Sequence, residues 1–146
     1  MIKVCDEVID GLIALKFLNE SEHVSGHGAE IIFLGVVRDI NHGRNVVSVA
    51  YDAFPPLAEK TLTEIASEAK EKWGREMQIV ILHRTGILKV GEVSLAIAVS
   101  SRHRDESYQA SRYVIEQIKD RAPIWKKETY SDGETKWLKG HALCQH

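Results

Sequence analysis

The residues best equipped for chemistry lie between Arg102 and Glu128. Seven Lys or Arg fall in this stretch, and most sit at its two ends: Arg102-His103-Arg104 at one, and Lys119, Arg121, Lys126 and Lys127 at the other. The whole chain nevertheless carries a formal net charge of -2. A local cationic cluster on a slightly acidic chain points to a specific anion. General nucleic-acid binders are more often basic overall. A lysine lined by apolar groups and other cations has its pKa pushed down, which suits it to proton transfer or to contact with a carbonyl carbon. The plainer alternative is a set of solvated charges at a helix end, where cations are favoured anyway.

Two elements must position these groups. From Asp105 to Asp120, Tyr108, Ser111, Val114, Ile115 and Ile118 recur at spacings of three and four, the stripe of an amphipathic helix. Lys119 falls on the flank of that stripe beside Ile115, a candidate half-buried amine. Pro123 stops the helix. Ile124 to Tyr130 then reads as a strand, with Ile124, Lys126 and Glu128 on one face and Trp125 and Lys127 on the other. Lys119 and Lys126 therefore flank a helix-to-strand corner. Arg38 ends a long apolar strand, where a charge facing water is the simpler reading. His103 and Arg104 open the helix, where backbone N–H groups also favour a phosphate, or where His103 serves only as a cap.

The remaining elements follow in order. Met1 to Cys5 reads as a short edge strand, and Asp6 as the N-cap of a helix carrying Val8, Ile9, Leu12, Ile13, Leu15 and Leu18. Asn19 to Gly28 is a loop. Ala29 to Arg38, nearly all apolar, reads as a central strand buried on both faces, with Asn45 to Phe54 returning beside it as a hairpin. Pro55-Pro56 opens a helix with the core stripe Leu57, Leu62, Ile65, Ala66, Ala69 and Trp73, ended by Gly74. Met77 to Arg84 and Val93 to Ser100 are strands joined by a glycine-punctuated connection. Asp132-Gly133 turns the chain before Lys136-Trp137-Leu138, and from Gly140 on the tail reads as loosely held. Paired strands between helices imply an α+β fold with a mainly antiparallel sheet and packed helices.

With 146 residues, 44% apolar and 27% charged, the chain is expected to form one domain, residues 1–146, with a core that needs no metal or disulfide. No basic segment precedes an apolar h-region and no apolar run reaches membrane-span length, so a cytoplasmic location without membrane contact is expected. Cys5 and Cys144 form no CxxC pair and read as reduced thiols. The seven histidines are scattered and no ligand spacing appears, so no metal is expected. P-loop, GxGxxG, HExxH and GxSxG motifs are absent, and Ser100-Ser101 beside His103 lacks an orienting acid.

These residues nonetheless carry a resemblance. Gly35-Val36-Val37-Arg38 with Asn41 and Gly43, His83-Arg84-Thr85-Gly86-Ile87-Leu88 with Gly91-Glu92, Val99 to Arg104, and Lys119 through Pro123 to Glu128 stand in order, followed by Gly133 and Trp137. Together they resemble the catalytic, large subunit of molybdopterin synthase from about Gly28 to Gly140. Tyr51-Asp52-Ala53-Phe54 departs modestly from the pattern, and the segments outside that range have no firm match. The resemblance implies a hammerhead-like α+β fold and a homodimer at the core of a heterotetramer. Each subunit would bind a small, ubiquitin-like sulfur-carrier subunit whose Gly-Gly tail ends in a thiocarboxylate. Sulfur would pass to cyclic pyranopterin monophosphate to make the molybdopterin dithiolene, with no cofactor. It also implies roles: Lys119 and Lys126 are catalytic and contact substrate, Arg38 binds substrate, and His103 and Arg104 bind substrate from the neighbouring protomer.

The residues fit these roles, because a thiocarboxylate and a cyclic phosphate are both anions. Two other readings compete. One is a non-catalytic module that holds a carrier-protein tail or a phosphorylated small molecule. The other, a single-stranded nucleic-acid binder using Trp73, Trp125 and Trp137, is weakened because the tryptophans fall at expected core positions and the net charge is negative.

Overall fold

The structure is a computed structural model that describes residues 1–21 and 25–138. Its element order is β1 (Ile2–Cys5), α1 (Gly11–Glu20), β2 (Ala29–Val36), β3 (Ile40–Asn41), β4 (Arg44–Ala53), α2 (Pro55–Trp73), β5 (Gln78–Arg84), β6 (Gly86–Lys89), β7 (Val93–Ser101), α3 (Arg104–Arg121), β8 (Ile124–Tyr130) and β9 (Thr135–Leu138). The fold is α+β and mainly antiparallel, as the pattern of paired strands implies. Only the β1–β5 pair is parallel among the described strands.

Two sheets divide the strands. The first has the order β1-β5-β7-β2, and the second runs β3-β4-β8-β9 with β6 also on β4. Helices α2 and α3 cover one face of the first sheet. Alanines at their contact (Ala58, Ala66 and Ala69 on α2, Ala110 on α3) let them approach Ile79, Ile81, Ile97 and Val99 closely. Helix α1 covers the other face, over Val80, Leu82, Ala96 and Ala98. A smaller core under the second sheet gathers Val37, Val46, Val49, Leu88 and Tyr130.

Several local expectations are corrected. Helix α1 is capped by Asp10, whose carboxylate accepts the Ile13 N–H at 2.8 Å, so the cap lies four residues beyond Asp6. Either aspartate can cap, but only Asp10 stands three residues before an N–H that points back to it. Strand β2 is not central. It ends the first sheet beside β7, and Ile32, Leu34 and Val36 on its α1 side are exposed. Nor does it pair with β4. The chain leaves the first sheet after Val36, and β4 instead makes a tight hairpin with β3 through His42 and Gly43, both at positive φ. An all-apolar strand signals two contact faces without saying what covers each.

In α2, Leu57 is exposed while Ala58 is buried. In α3, Tyr108 is exposed, and the buried stripe is Ser107, Ala110, Ser111, Val114 and Ile118. Small residues carry the close contacts, and the larger neighbours are left outside. Trp73 is half-buried, its indole N–H donating to Gln109 Oε1 at 3.0 Å. Trp125 and Trp137 are exposed on the outer face of the second sheet, because strand alternation turns them away from the side that carries Lys126. Cys5 is a free thiol. Cys144, the tail from Gly140, and His23, His141 and His146 lie outside the described residues.

One ion-pair network ties α2 to α3. Arg121 grips Glu68 through two N–H groups, at 2.7 and 2.9 Å, and the Tyr113 hydroxyl donates to the same carboxylate at 2.7 Å. The Arg121 hydrogen bonds, then that of Tyr113, pull the Glu68 pKa down to about 2. A depressed carboxylate stabilises the fold above its ordinary value near 4.5, and that contribution disappears as pH falls through the folded value. Glu68→Gln should therefore lower the thermal midpoint at neutral pH by the small amount expected of an exposed pair, at most about 1 kcal/mol. The two proteins should converge as pH approaches 2. A gap of constant size across a calorimetric pH series would contradict the assignment.

Candidate active site

A cleft of about 250 Å³ opens over the first sheet. Its floor is a row across the first sheet, His83 on β5, Leu95 on β7 and Gly35 on β2, whose Cα positions are register partners. Gly35 adds no side chain to the floor; a Cβ there would stand in ordinary contact, 3.4 Å from that of Leu95 and 3.6 Å from the Ser94 hydroxyl. Phe33 and Tyr51 add aromatic wall, and Ile115 and Ile118 of α3 close another side.

Three of the expected cations meet on this cleft: Arg38, Lys119 and Lys126. Each is placed by a different device. Arg38 follows Val37, whose N–H donates to Glu92 O at 2.9 Å and whose carbonyl accepts from Gly91 at 2.8 Å. Lys119 rides the last turn of α3, one residue past buried Ile118, so its stem lies along the apolar flank. Lys126 is on the inward face of β8, directly across from Tyr51 of β4.

His103 and Arg104 do not join them. They stand at the opposite end of α3, with Arg104 fifteen residues before Lys119, or about 22 Å at 1.5 Å per residue. His103 occupies the N-cap position, yet its side chain makes no cap hydrogen bond. The neighbouring Arg102 pairs instead with Glu76 at 3.1 Å.

Lys126 is the most enclosed of the cations, its side chain 12% exposed, and it has a carboxylate behind it. Glu128 Oε1 lies 3.4 Å from Lys126 Nζ. The same carboxylate accepts from Asn41 Nδ2 at 2.8 Å and from the Tyr130 hydroxyl at 2.7 Å. Burial pushes Glu128 up, but these two hydrogen bonds and the Lys126 charge outweigh it, so the group stays below the usual carboxylate range. For Lys126 the balance runs the other way. Burial, with lesser contributions from Arg38 and Lys119, holds its amine below the ordinary lysine value against the pull of Glu128. The result is an amine that gives up a proton more readily than a surface lysine.

Sequence reasoning did not assign Glu128, Asn41, Tyr51 or His83 to the site. The alternation placing Glu128 on the Lys126 face was the available signal for the first. Asn41 and His83 arrive through long-range pairings that no local pattern announces. Among the described residues, no group of three His, Cys, Asp or Glu side chains is arranged to hold a metal. Among the described residues, no helix is long and apolar enough to cross a membrane.

Fold and site together define an α+β protein with a cationic, lysine-lined cleft over an apolar floor. The chain belongs to the MoaE protein family, whose sequence model matches residues 6–121. The match begins well before Gly28 and so includes α1, which the sequence motifs had left outside. The molybdopterin synthase catalytic subunit of Synechococcus elongatus is 45% identical over 133 residues, covering 91% of this chain and 81% of that protein. The protein of the same name from Bacillus subtilis is 44% identical over 111 residues, covering 76% and 69%. Among solved structures, molybdopterin synthase from Staphylococcus aureus superposes with a TM-score of 0.84 at 37% identity, covering 93% of this chain and 95% of that one. A complex of subunits 1 and 2 of molybdopterin-converting factor from Helicobacter pylori shares the fold, with a TM-score of 0.73 at 22% identity over 94% and 88% of the two chains.

The electrostatic arrangement has a direct consequence. Amine labelling at Lys126, followed by mass spectrometry across a pH series, should show a midpoint below that of an ordinary lysine. In Glu128→Gln it should fall further, because the one charge that favours the ammonium form is gone. A midpoint at or above the ordinary value in the unmodified protein would remove Lys126 as a proton-transfer group. The variant should also be less stable, by about 1–3 kcal/mol, since the amide keeps one acceptor oxygen where the carboxylate gave Asn41 and the Tyr130 hydroxyl one each.

Proposed function

We propose that this chain is the catalytic subunit of a molybdopterin synthase. It transfers sulfur from the C-terminal thiocarboxylate of a small, ubiquitin-like carrier subunit to cyclic pyranopterin monophosphate, forming the dithiolene of molybdopterin. The observation that carries this reading is the convergence of Lys119, Lys126 and Arg38 on one apolar-floored cleft, in a chain of this family.

The geometry divides the work. Arg38, nearest the open rim, meets substrate oxyanions. Lys119, with its stem on the α3 flank, meets the thiocarboxyl group and steadies the charge that develops on its oxygen as water adds to the carbon and the acyl–sulfur bond breaks, leaving sulfur on the pterin and a carboxylate on the carrier. Lys126, with its lowered pKa, moves protons to and from the substrate. Sulfur transfer from a thiocarboxylate needs no metal and no resident cofactor in this scheme. His103 and Arg104 reach a cleft only from a second copy, which supports a homodimer whose protomers complete each other's sites. The exposed Ile32, Leu34 and Val36 of β2, and Ile87, Trp125 and Trp137 on the second sheet, are apolar surface of the kind subunit contacts cover. With one carrier on each protomer the assembly is a heterotetramer. The chain acts as one domain in the cytoplasm.

Reconstitution tests the reading. Purified chain, thiocarboxylated carrier and cyclic pyranopterin monophosphate should yield dithiolene, detected as a fluorescent pterin derivative. Lys119→Ala should lower the rate by at least about a hundredfold while leaving the fold and carrier binding intact. Full activity in that variant would end the assignment of Lys119. A complex that forms with competent carrier but never gives product would identify a non-catalytic module that only holds the tail.

A further inference from the structure

His83 stands at the floor of the cleft, and none of the roles above uses it. The side chain is 5% exposed and lines the cleft beside Leu95 and Tyr51. Its Nδ1 lies 3.0 Å from the carbonyl oxygen of Arg84. A carbonyl only accepts, so Nδ1 carries the hydrogen and Nε2 presents a bare lone pair. Burial lowers the pKa to about 4, which keeps the ring neutral near pH 7. The Tyr51 ring meets it edge-on at 5.3 Å and fixes its plane. The ring makes no other hydrogen bond among the described residues.

This sets His83 apart from the charged members of the cleft. Arg38 and the ammonium forms of Lys119 and Lys126 donate, whereas the neutral Nε2 accepts. A ligand that satisfies both is an anion with a donor, N–H or O–H, close to its charge. The last residue of a C-terminal thiocarboxylate has that form: its backbone N–H is two bonds from the thiocarboxyl carbon. Gly35, in the same row of the floor, adds no side chain to the space beside Leu95.

We propose that His83 Nε2 receives the backbone N–H of the carrier's terminal glycine, anchoring the tail behind its reacting thiocarboxylate. This inference rests on the reading that a carrier tail enters the cleft.

The test compares carrier tails in which the terminal glycine is either natural or replaced by glycolate, so that an ester oxygen stands where the N–H was. Both carriers are used in the stable carboxylate form, and Kd is measured by calorimetry against the full-length chain. Unmodified protein should bind the natural tail about tenfold more tightly, in line with one buried hydrogen bond and the lone-pair repulsion that replaces it. In His83→Phe the two tails should bind alike, and His83→Gln, which returns an acceptor near Nε2, should restore part of the difference. Equal affinities of unmodified protein for the two tails would overturn the proposal, and that comparison stands even if His83→Phe does not fold. Equal weakening of both tails by His83→Phe would also overturn it, as would a loss confined to the KM for the pterin. If the unmodified protein binds neither carrier, the sulfur-transfer reading itself fails, which is a different result from binding that ignores His83.

Discussion

The site depends on keeping Lys126 inside the protein as a usable amine. An isolated buried charge costs several kcal/mol, and a protein normally avoids that cost by excluding the group or neutralising it. Here the solution is a carboxylate at 3.4 Å that is itself held by Asn41 and Tyr130. Because Glu128 has those two donors, it stays ionised without closing on Lys126 as a tight salt bridge. The lysine is stabilised but not captured, and its lowered pKa is a product of that balance. Asn41 comes from the β3–β4 hairpin and Tyr130 from the end of β8, so two separate strands of the second sheet contribute to the tuning of one amine.

The two sheets have different tasks around this centre. The first provides the apolar floor, with His83, Leu95 and Gly35 in one row and the helices packed tightly over the rest. The second carries Lys126 and its carboxylate and turns Tyr51 toward the floor. Helix α3 bridges them and brings Lys119. Around that floor the cations stand at different depths: Arg38 is exposed where charged ligands arrive, and Lys126 is largely enclosed.

Much of this was legible in the sequence. The amphipathic run ending at Lys119, the stop at Pro123 and the alternation through Lys126 and Glu128 are local patterns, and local patterns survive folding. Gly74 and Asp132-Gly133 fall where the chain ends a helix and turns. What was not legible depends on which strand lies beside which. The apolar residues of β2 announce two faces seeking contact, but only the three-dimensional arrangement shows one of them open in the isolated chain. Trp125 and Trp137 look like core by residue type, yet alternation turns them outward. Asp6 and Asp10 are equivalent caps on paper, and the position of the Ile13 N–H decides between them. His83 reads as one more histidine in an apolar strand until β4 brings Tyr51 over it.

Helix α3 carries a constraint of phase as well as length. It bears one cationic group at each end, and Lys119 reaches the cleft only because its place in the helical repeat faces the flank beside Ile118. Inserting or deleting a single residue within the helix would move its far end by only about 1.5 Å, but would swing Lys119 about 100° around the axis, away from the cleft. A change of a whole heptad would nearly preserve the angle while altering the span between the two charged ends by about 10 Å. The helix therefore acts as a dial toward its cleft and as a ruler between its two charged ends. Loops elsewhere can change length freely, whereas insertions and deletions in this element are confined to those that keep both settings.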